Sequence, residues 1–193
     1  MIEGMVTQQD KTQILKFARK VLEESLNDSS LQRGFLWTRK WIPHFPISED
    51  NPTSVFVTLY KAENLRGCVG TLYPEPSLFL TVAKTTLESA YHDPRFPPMT
   101  VAEGPETRIE VSILSPLRRV KKIEEIVRHT HGVYIKKDFN SRLFRPQVWE
   151  VLPSKEEFMA ELCSSKAGLA PNAWQDPSTE IYIFTVEKLE EEP

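Results

Sequence analysis

Six consecutive residues, Leu65-Arg66-Gly67-Cys68-Val69-Gly70, place a thiol two positions from a guanidinium, with a glycine on either side. In an extended chain, residues i and i+2 leave the same face, so Arg66 and Cys68 are expected side by side. A neighbouring cation favours thiolate, the form of cysteine that acts as nucleophile or metal ligand. Gly67 and Gly70 leave room for a ligand or a second backbone to approach. The bland alternative makes Cys68 a small core residue beside Val57 across a hairpin, a common fate for free cysteine.

Downstream, His92-Asp93-Pro94-Arg95-Phe96 brings a carboxylate and a second guanidinium. Arg66 and Arg95 beside small residues suit recognition of an anionic small molecule through carboxylate or phosphate. Asp93 is expected to end a helix and to orient Arg95 or Arg66, and His92 is given no catalytic role. Gln147, after Pro146 and near Arg142 and Arg145, is a candidate ligand contact, its alternative being a glutamine bonded to backbone. His44, His129 and His131 are scattered without ligand spacing, so no metal site is expected. Leu117-Arg118-Arg119-Val120-Lys121-Lys122, with Lys136, Lys137, Arg142 and Arg145, is the one basic concentration. Lacking a Gly-rich phosphate loop or an aromatic RNA signature strand, it reads as a solvated charged face, and nucleic acid is disfavoured as a partner.

The elements that must position these groups belong to a chain of 193 residues, 40% of them apolar and 10% aromatic. That is ordinary globular composition. With 24 basic against 27 acidic residues, the net charge of −3 offers no global attraction for nucleic acid. No basic segment leads into an apolar stretch at Met1–Asp10, and no window is long enough for a bilayer span, so the expected location is cytoplasmic, without a membrane. Cys68 and Cys163 are too few for a disulfide framework and are expected to stay as thiols.

Apolar spacing predicts a helix over Lys11–Leu26, then a long connection over Asn27–Pro52 anchored by Trp37 and Trp41. A hairpin follows, Val55–Tyr60 and Leu65–Leu72 around the polar turn Lys61–Asn64. Ser77 opens a helix that Asp93-Pro94 ends. Thr100 with Glu103 makes a capping box, and Arg108–Leu114 alternates as a half-exposed strand with Glu110 and Ser112 outward. Lys122–Arg128 reads as a short helix, Gly132 as the reversal into the strand Val133–Lys136, and Leu143–Phe144 as its hairpin partner. Ser154 through Glu157 caps a helix ending near Gly168, and Glu180–Leu189 reads as one long central strand. Hairpin partners separated by helices favour an α+β fold with a mixed or largely antiparallel sheet and flanking helices.

Val55-Phe56-Val57-Thr58-Leu59 followed by Leu65-Arg66-Gly67-Cys68-Val69-Gly70 resembles the signature hairpin of the AMMECR domain family, with Val69 for the usual isoleucine. The likeness continues through Ser89-Ala90-Tyr91-His92-Asp93-Pro94-Arg95-Phe96-Pro97-Pro98, Ile109-Glu110-Val111-Ser112 and Arg142-Leu143-Phe144-Arg145-Pro146-Gln147-Val148. It extends to Lys166-Ala167-Gly168-Leu169, Ala173-Trp174 and Tyr182-Ile183-Phe184. The sequence departs at Leu31–Pro52 and at Lys61–Asn64, where a Lys-Asp-Gly turn is more usual. The resemblance implies one domain over residues 8–190, of α+β fold, with two lobes and a cleft lined by the Arg-Gly-Cys region. It also implies Memo-type and radical S-adenosylmethionine proteins as partners, and it names no reaction and no cofactor. A ligand- or partner-binding accessory module built on Arg66, Gly67, Gly70, Asp93, Arg95 and Gln147 is the favoured expectation. An enzyme with Cys68 as nucleophile, and a nucleic-acid or nucleotide binder using Arg118–Lys122, stay open as alternatives.

Overall fold

The computed structural model describes residues 8–33 and 53–192. The expected anchors Trp37 and Trp41, and His44, lie outside the described residues. The chain divides into two compact units, residues 1–113 with 187–193, and residues 114–186.

In the first unit, helix α1 (Gln8–Asn27) buries Ile14, Phe17, Ala18, Val21, Leu22 and Leu26 along the predicted stripe. Phe17 meets Phe79 edge-to-face at 4.9 Å, joining α1 to α2 (Leu78–Tyr91). Ser77 caps α2, accepting from the Leu80 amide, and the His92 amide closes it on Glu88 O before Asp93-Pro94. Both helices share an apolar core with Val55, Val57 and Leu59 of β1 (Val55–Lys61) and Ile109, Val111 and Ile113 of β3 (Thr107–Leu114). With β2 (Asn64–Thr71) and β8 (Val186–Glu190), these form a sheet in the order β2-β1-β3-β8, with β1 antiparallel to both neighbours.

The second unit holds the sheet β4-β7-β5-β6, built from Arg118–Val120, Glu180–Phe184, Gly132–Lys137 and Asn140–Phe144. Helix α3 (Lys155–Glu161) begins at the predicted Ser154 cap and runs into a wider turn over Leu162–Lys166, before Gly168 at φ +67°. Trp149 stacks on Phe158 at 3.6 Å, and its indole N–H satisfies His131 O at 2.8 Å.

The fold is α+β with antiparallel sheets, as expected, and several details differ. Glu110 and Ser112 are 2% and 0% exposed, not outward, because Glu110 is satisfied inside by Lys188, Tyr60 and Ser112. The last strand is two strands in different sheets, broken at Thr185, whose amide and carbonyl both pair with Ser115. Gly132 is not a reversal. It is the first residue of β5, where an added Cβ would stand 2.4 Å from the Phe184 ring, and His129 adopts the positive φ, +61°. Lys122–Arg128 shortens to a single turn, Ile123–Glu125.

Candidate functional site

Strand β2 carries the expected thiol and guanidinium, and it is irregular there. Leu59 faces Gly67 while Tyr60 faces Leu65, so Arg66 is the extra residue of a β-bulge. The bulge breaks the alternation that placed Arg66 beside Cys68, and the two side chains engage different partners. Gly67 is required at this bend: a Cβ would stand 2.1 Å from Ser89 O of α2. The Ser89 hydroxyl accepts the Val69 amide at 3.0 Å and donates to Val57 O at 2.8 Å, bridging two residues that are partners across β1 and β2.

Arg66 is 8% exposed and turns to Glu103. Its Nε donates to Glu103 Oε1 at 2.7 Å, and Nη2 to Glu103 Oε2 at 3.3 Å and to Pro97 O at 2.9 Å. Glu103 also takes the amide and hydroxyl of Thr100 at 2.9 Å each, so the predicted capping box and the buried guanidinium share one carboxylate. The Arg66 guanidinium, then the Thr100 donors, hold Glu103 down at about 2 against an opposing desolvation effect. Arg66 thereby ties β2 to the Val101–Glu106 turn.

Asp93 and Arg95 grip the main chain of Cys68 from both ends. Asp93 Oδ2 accepts the Cys68 amide at 2.8 Å, and Arg95 Nη2 donates to Cys68 O at 3.0 Å. Between them, Arg95 Nε meets Asp93 Oδ1 at 2.9 Å and Nη2 meets Oδ2 at 2.6 Å. Asp93 is 4% exposed, whereas the Arg95 side chain is 54% exposed. Hydrogen bonding from Arg95, aided by the Cys68 amide and opposed by burial, holds Asp93 down at about 2. Arg95 is shifted up, first by Asp93 and further by the Cys68 thiol beside it. These contacts use Nε and Nη2 and fix a guanidinium that also lies against the Cys68 sulfur, with more than half of the side chain exposed to an incoming acceptor.

Cys68 is half-buried, and its register partner across the hairpin is Thr58, not Val57. Thr58 Oγ1 donates to Cys68 Sγ at 3.3 Å. Gly70 lies under the Phe56 ring, where a Cβ would stand 2.1 Å from a ring carbon. Cys68, Asp93 and Arg95 are thus brought together beside the bend at Gly67, whereas Gly70 packs against Phe56. Gln147 belongs to the other unit, on the turn Pro146–Glu150, with its Oε1 buried and without a hydrogen-bond partner. Thr58 and the bridging role of Ser89 carried no signal in the sequence, since neither contact follows a local spacing.

Of the basic concentration, Arg118 pairs with Glu125 at 3.0 Å, Arg119 with Glu180 at 4.0 Å and Lys137 with Asp176 at 2.6 Å. Among the described residues no three His, Cys, Asp or Glu side chains cluster as metal ligands, and no helix is long and apolar enough to cross a membrane.

The sequence model of the family described as AMMECR1 matches residues 15–189. A protein of Thermococcus gammatolerans is 34% identical over 93% of this chain and 89% of its own length. A protein of Nanoarchaeum equitans is 32% identical over 93% and 99% respectively. The crystal structure of the uncharacterized protein PH0010 of Pyrococcus horikoshii is similar with a TM-score of 0.76 and 30% identity, covering 97% of this chain and 94% of that one.

Proposed function

Because the chain belongs to the AMMECR1 family, we propose that it is a ligand- or partner-binding accessory module whose working surface is the corner formed by Cys68, Asp93 and Arg95. The observation that supports this reading is the two-ended grip on Cys68, which fixes an exposed guanidinium beside a half-buried thiol. A fixed donor gives up little rotamer freedom when an anion arrives, so it suits a carboxylate or phosphate better than a free surface arginine does. Gly67 and Gly70 serve packing here, so Arg95 replaces Arg66 as the principal contact. The module works in the cytoplasm with Memo-type and radical S-adenosylmethionine proteins, which supply or consume the bound molecule.

The test is a titration of the full chain with succinate and with inorganic phosphate, followed through the amide resonances of Cys68 and Arg95. Binding that shifts these amides and is lost in Arg95→Met supports the reading. Unchanged resonances with both anions, together with capture of a Memo-type protein that is indifferent to Arg95→Met, overturn it.

A second reading, an enzyme with Cys68 as nucleophile, is favoured by the Thr58 hydroxyl donating to the sulfur and by Arg95 beside it. Alkylation against pH separates the two: a rate midpoint well below about 8.5 favours a nucleophile, and a midpoint at that value leaves only binding.

A further inference from the structure

A second site lies on the first unit, apart from the Cys68 corner. Arg19, midway along α1, is held from behind by two carbonyls: Nη1 donates to Gly104 O at 3.2 Å and Nη2 to Thr107 O at 2.5 Å. In front, its Nε meets Glu191 Oε1 at 2.9 Å, and Nη2 meets Oε2. The Ile109 amide of β3 adds a third donor, to Glu191 Oε2 at 2.9 Å, and Glu191 returns its own amide to Ile109 O at 3.1 Å. One carboxylate is therefore caught by a preoriented fork and a backbone N–H, while the chain that bears it pairs with the same residue of β3. This is how an extended acidic segment would be read: main-chain pairing for direction and an oriented arginine for the carboxylate.

The segment now in place is β8 at the edge of the sheet, and Glu191 and Glu192 lie past its end. Among Glu187–Glu192, Leu189 is the one buried apolar side chain. Beside its backbone pairing with β3, it is attached by ion pairs, Lys11 to Glu187 at 2.8 Å, Lys188 to Glu110 at 3.0 Å and Arg108 to Glu190 at 3.5 Å. The Arg108–Glu190 pair, nearest the fork, is partly exposed, and pairs of that kind contribute little and are screened by salt. Beside the fork lies a cavity of about 890 Å³ where Lys11, Lys16, Arg19, Arg108 and Lys188 meet Glu63, Glu106 and the resident Glu190, Glu191 and Glu192, so that the basic residues outnumber the acidic ones once residues 190–192 leave. It gives an incoming chain room and positive charge where the resident one leaves.

We propose that Arg19, the Ile109 amide and this cavity form a recognition site for an acidic, extended segment of a partner protein, with Glu191 as its resident occupant. The partner displaces residues 190–192 and places its own carboxylate in the fork. Occupancy by Glu191 lowers the apparent affinity by the fraction of molecules in which the fork is closed, so removing that side chain unmasks the site.

The probe is the peptide triglutamate, titrated into the full chain at low salt while the Ile109 amide and Arg19 Nε resonances are followed. Glu191→Ala is expected to bind it at least about tenfold more tightly than the wild type, with both resonances moving, because the intramolecular competitor is gone. Adding Arg19→Lys, which keeps the charge and loses the fork, is expected to reverse most of that gain. The proposal is overturned if Glu191→Ala binds no more tightly than wild type, or if the Ile109 amide does not move when the peptide binds. It is also overturned if a folded double variant binds as tightly as Glu191→Ala. Should the double variant fail to fold, the Ile109 shift in Glu191→Ala decides the matter alone.

Discussion

The Asp93 carboxylate accepts the Cys68 amide at 2.8 Å, so the residue that ends α2 also fixes the backbone of the thiol on β2. The same carboxylate holds Arg95, which returns to the Cys68 carbonyl, and the corner is therefore one unit of structure. Asp93→Ala leaves the Cys68 amide unsatisfied and frees Arg95. The expected cost is about 2 kcal/mol, the range for hydrogen bonds to a charged group, reduced because Arg95 is more than half exposed. Urea unfolding checks this. A variant as stable as wild type would show the grip to be ornamental.

Arg66 and Glu103 form a buried pair, with side chains 9% and 17% exposed. Removing one partner of such a pair strands the other, so Arg66→Ala is expected to destabilise by about 3 kcal/mol. Arg66→Lys keeps the charge, loses the two-pronged contact with Glu103 and falls between the two. Because Arg66 serves the fold, both variants are expected to retain the anion-induced shift of the Cys68 amide wherever the chain remains folded.

Asp93 and Glu103 supply part of the pH dependence, beside Asp28, Glu125, Asp176, Glu180 and Glu190, whose carboxyls are also held below their ordinary values. Asp93 and Glu103 are both near 2 in the folded chain, below their ordinary values of 3.8 and 4.5. A folded pKa below the unfolded one gives stability that is complete above the unfolded value and lost as pH falls through the folded one. Stability to urea is thus expected to be level from pH 7 to about 5 and to fall steeply between about 4.5 and 2. Glu103→Gln flattens that fall. An equally steep fall in the Asp93→Asn, Glu103→Gln double variant would place the acid sensitivity elsewhere.

Most elements were legible because they rest on local rules. The α1 stripe, the Ser77 and Ser154 caps and the helix end at Asp93-Pro94 all lie where spacing and backbone sterics put them. Around Cys68, the local run of residues was legible and one relation within it differs. Alternation cannot reveal that Arg66 is a bulge residue, and Gly67 next to it was the available clue. Glu110 was read as outward because a carboxylate is polar, whereas its donors Lys188, Tyr60 and Ser112 come partly from strands far away in sequence. The same holds for Thr58 and Ser89, whose partners are set by the fold. The break at Thr185 depends on Ser115, seventy positions upstream, and leaves no local mark.

Gly67 is a sharper test of the bend. A methyl group there would stand 2.1 Å from the Ser89 carbonyl, a backbone atom that cannot swing aside. Gly67→Ala must push β2 away from α2 and disturb the hydroxyl bridge from Val69 to Val57. Overpacking of this sort costs about 1–3 kcal/mol. The expected signature is a lower thermal midpoint, with the Val69 amide exchanging faster than in wild type. An unchanged midpoint would mean that the strand relaxes freely at the bulge.

Ala62, in the turn between β1 and β2, adopts φ +50°. An L side chain in that region brings Cβ against the following carbonyl, at about 1–2 kcal/mol. Glycine removes the clash and adds backbone entropy to the unfolded chain, so the two effects oppose each other. Relief of strain is the larger of the two at an exposed hairpin turn, and Ala62→Gly is expected to stabilise the chain by about 0.5 kcal/mol. The exposed Lys61–Glu106 pair at 3.1 Å should persist, since it depends on strand register more than on the turn residue. Thermal unfolding of wild type and variant in the same buffer decides it, and a lower midpoint for Ala62→Gly would show that the turn is not strained.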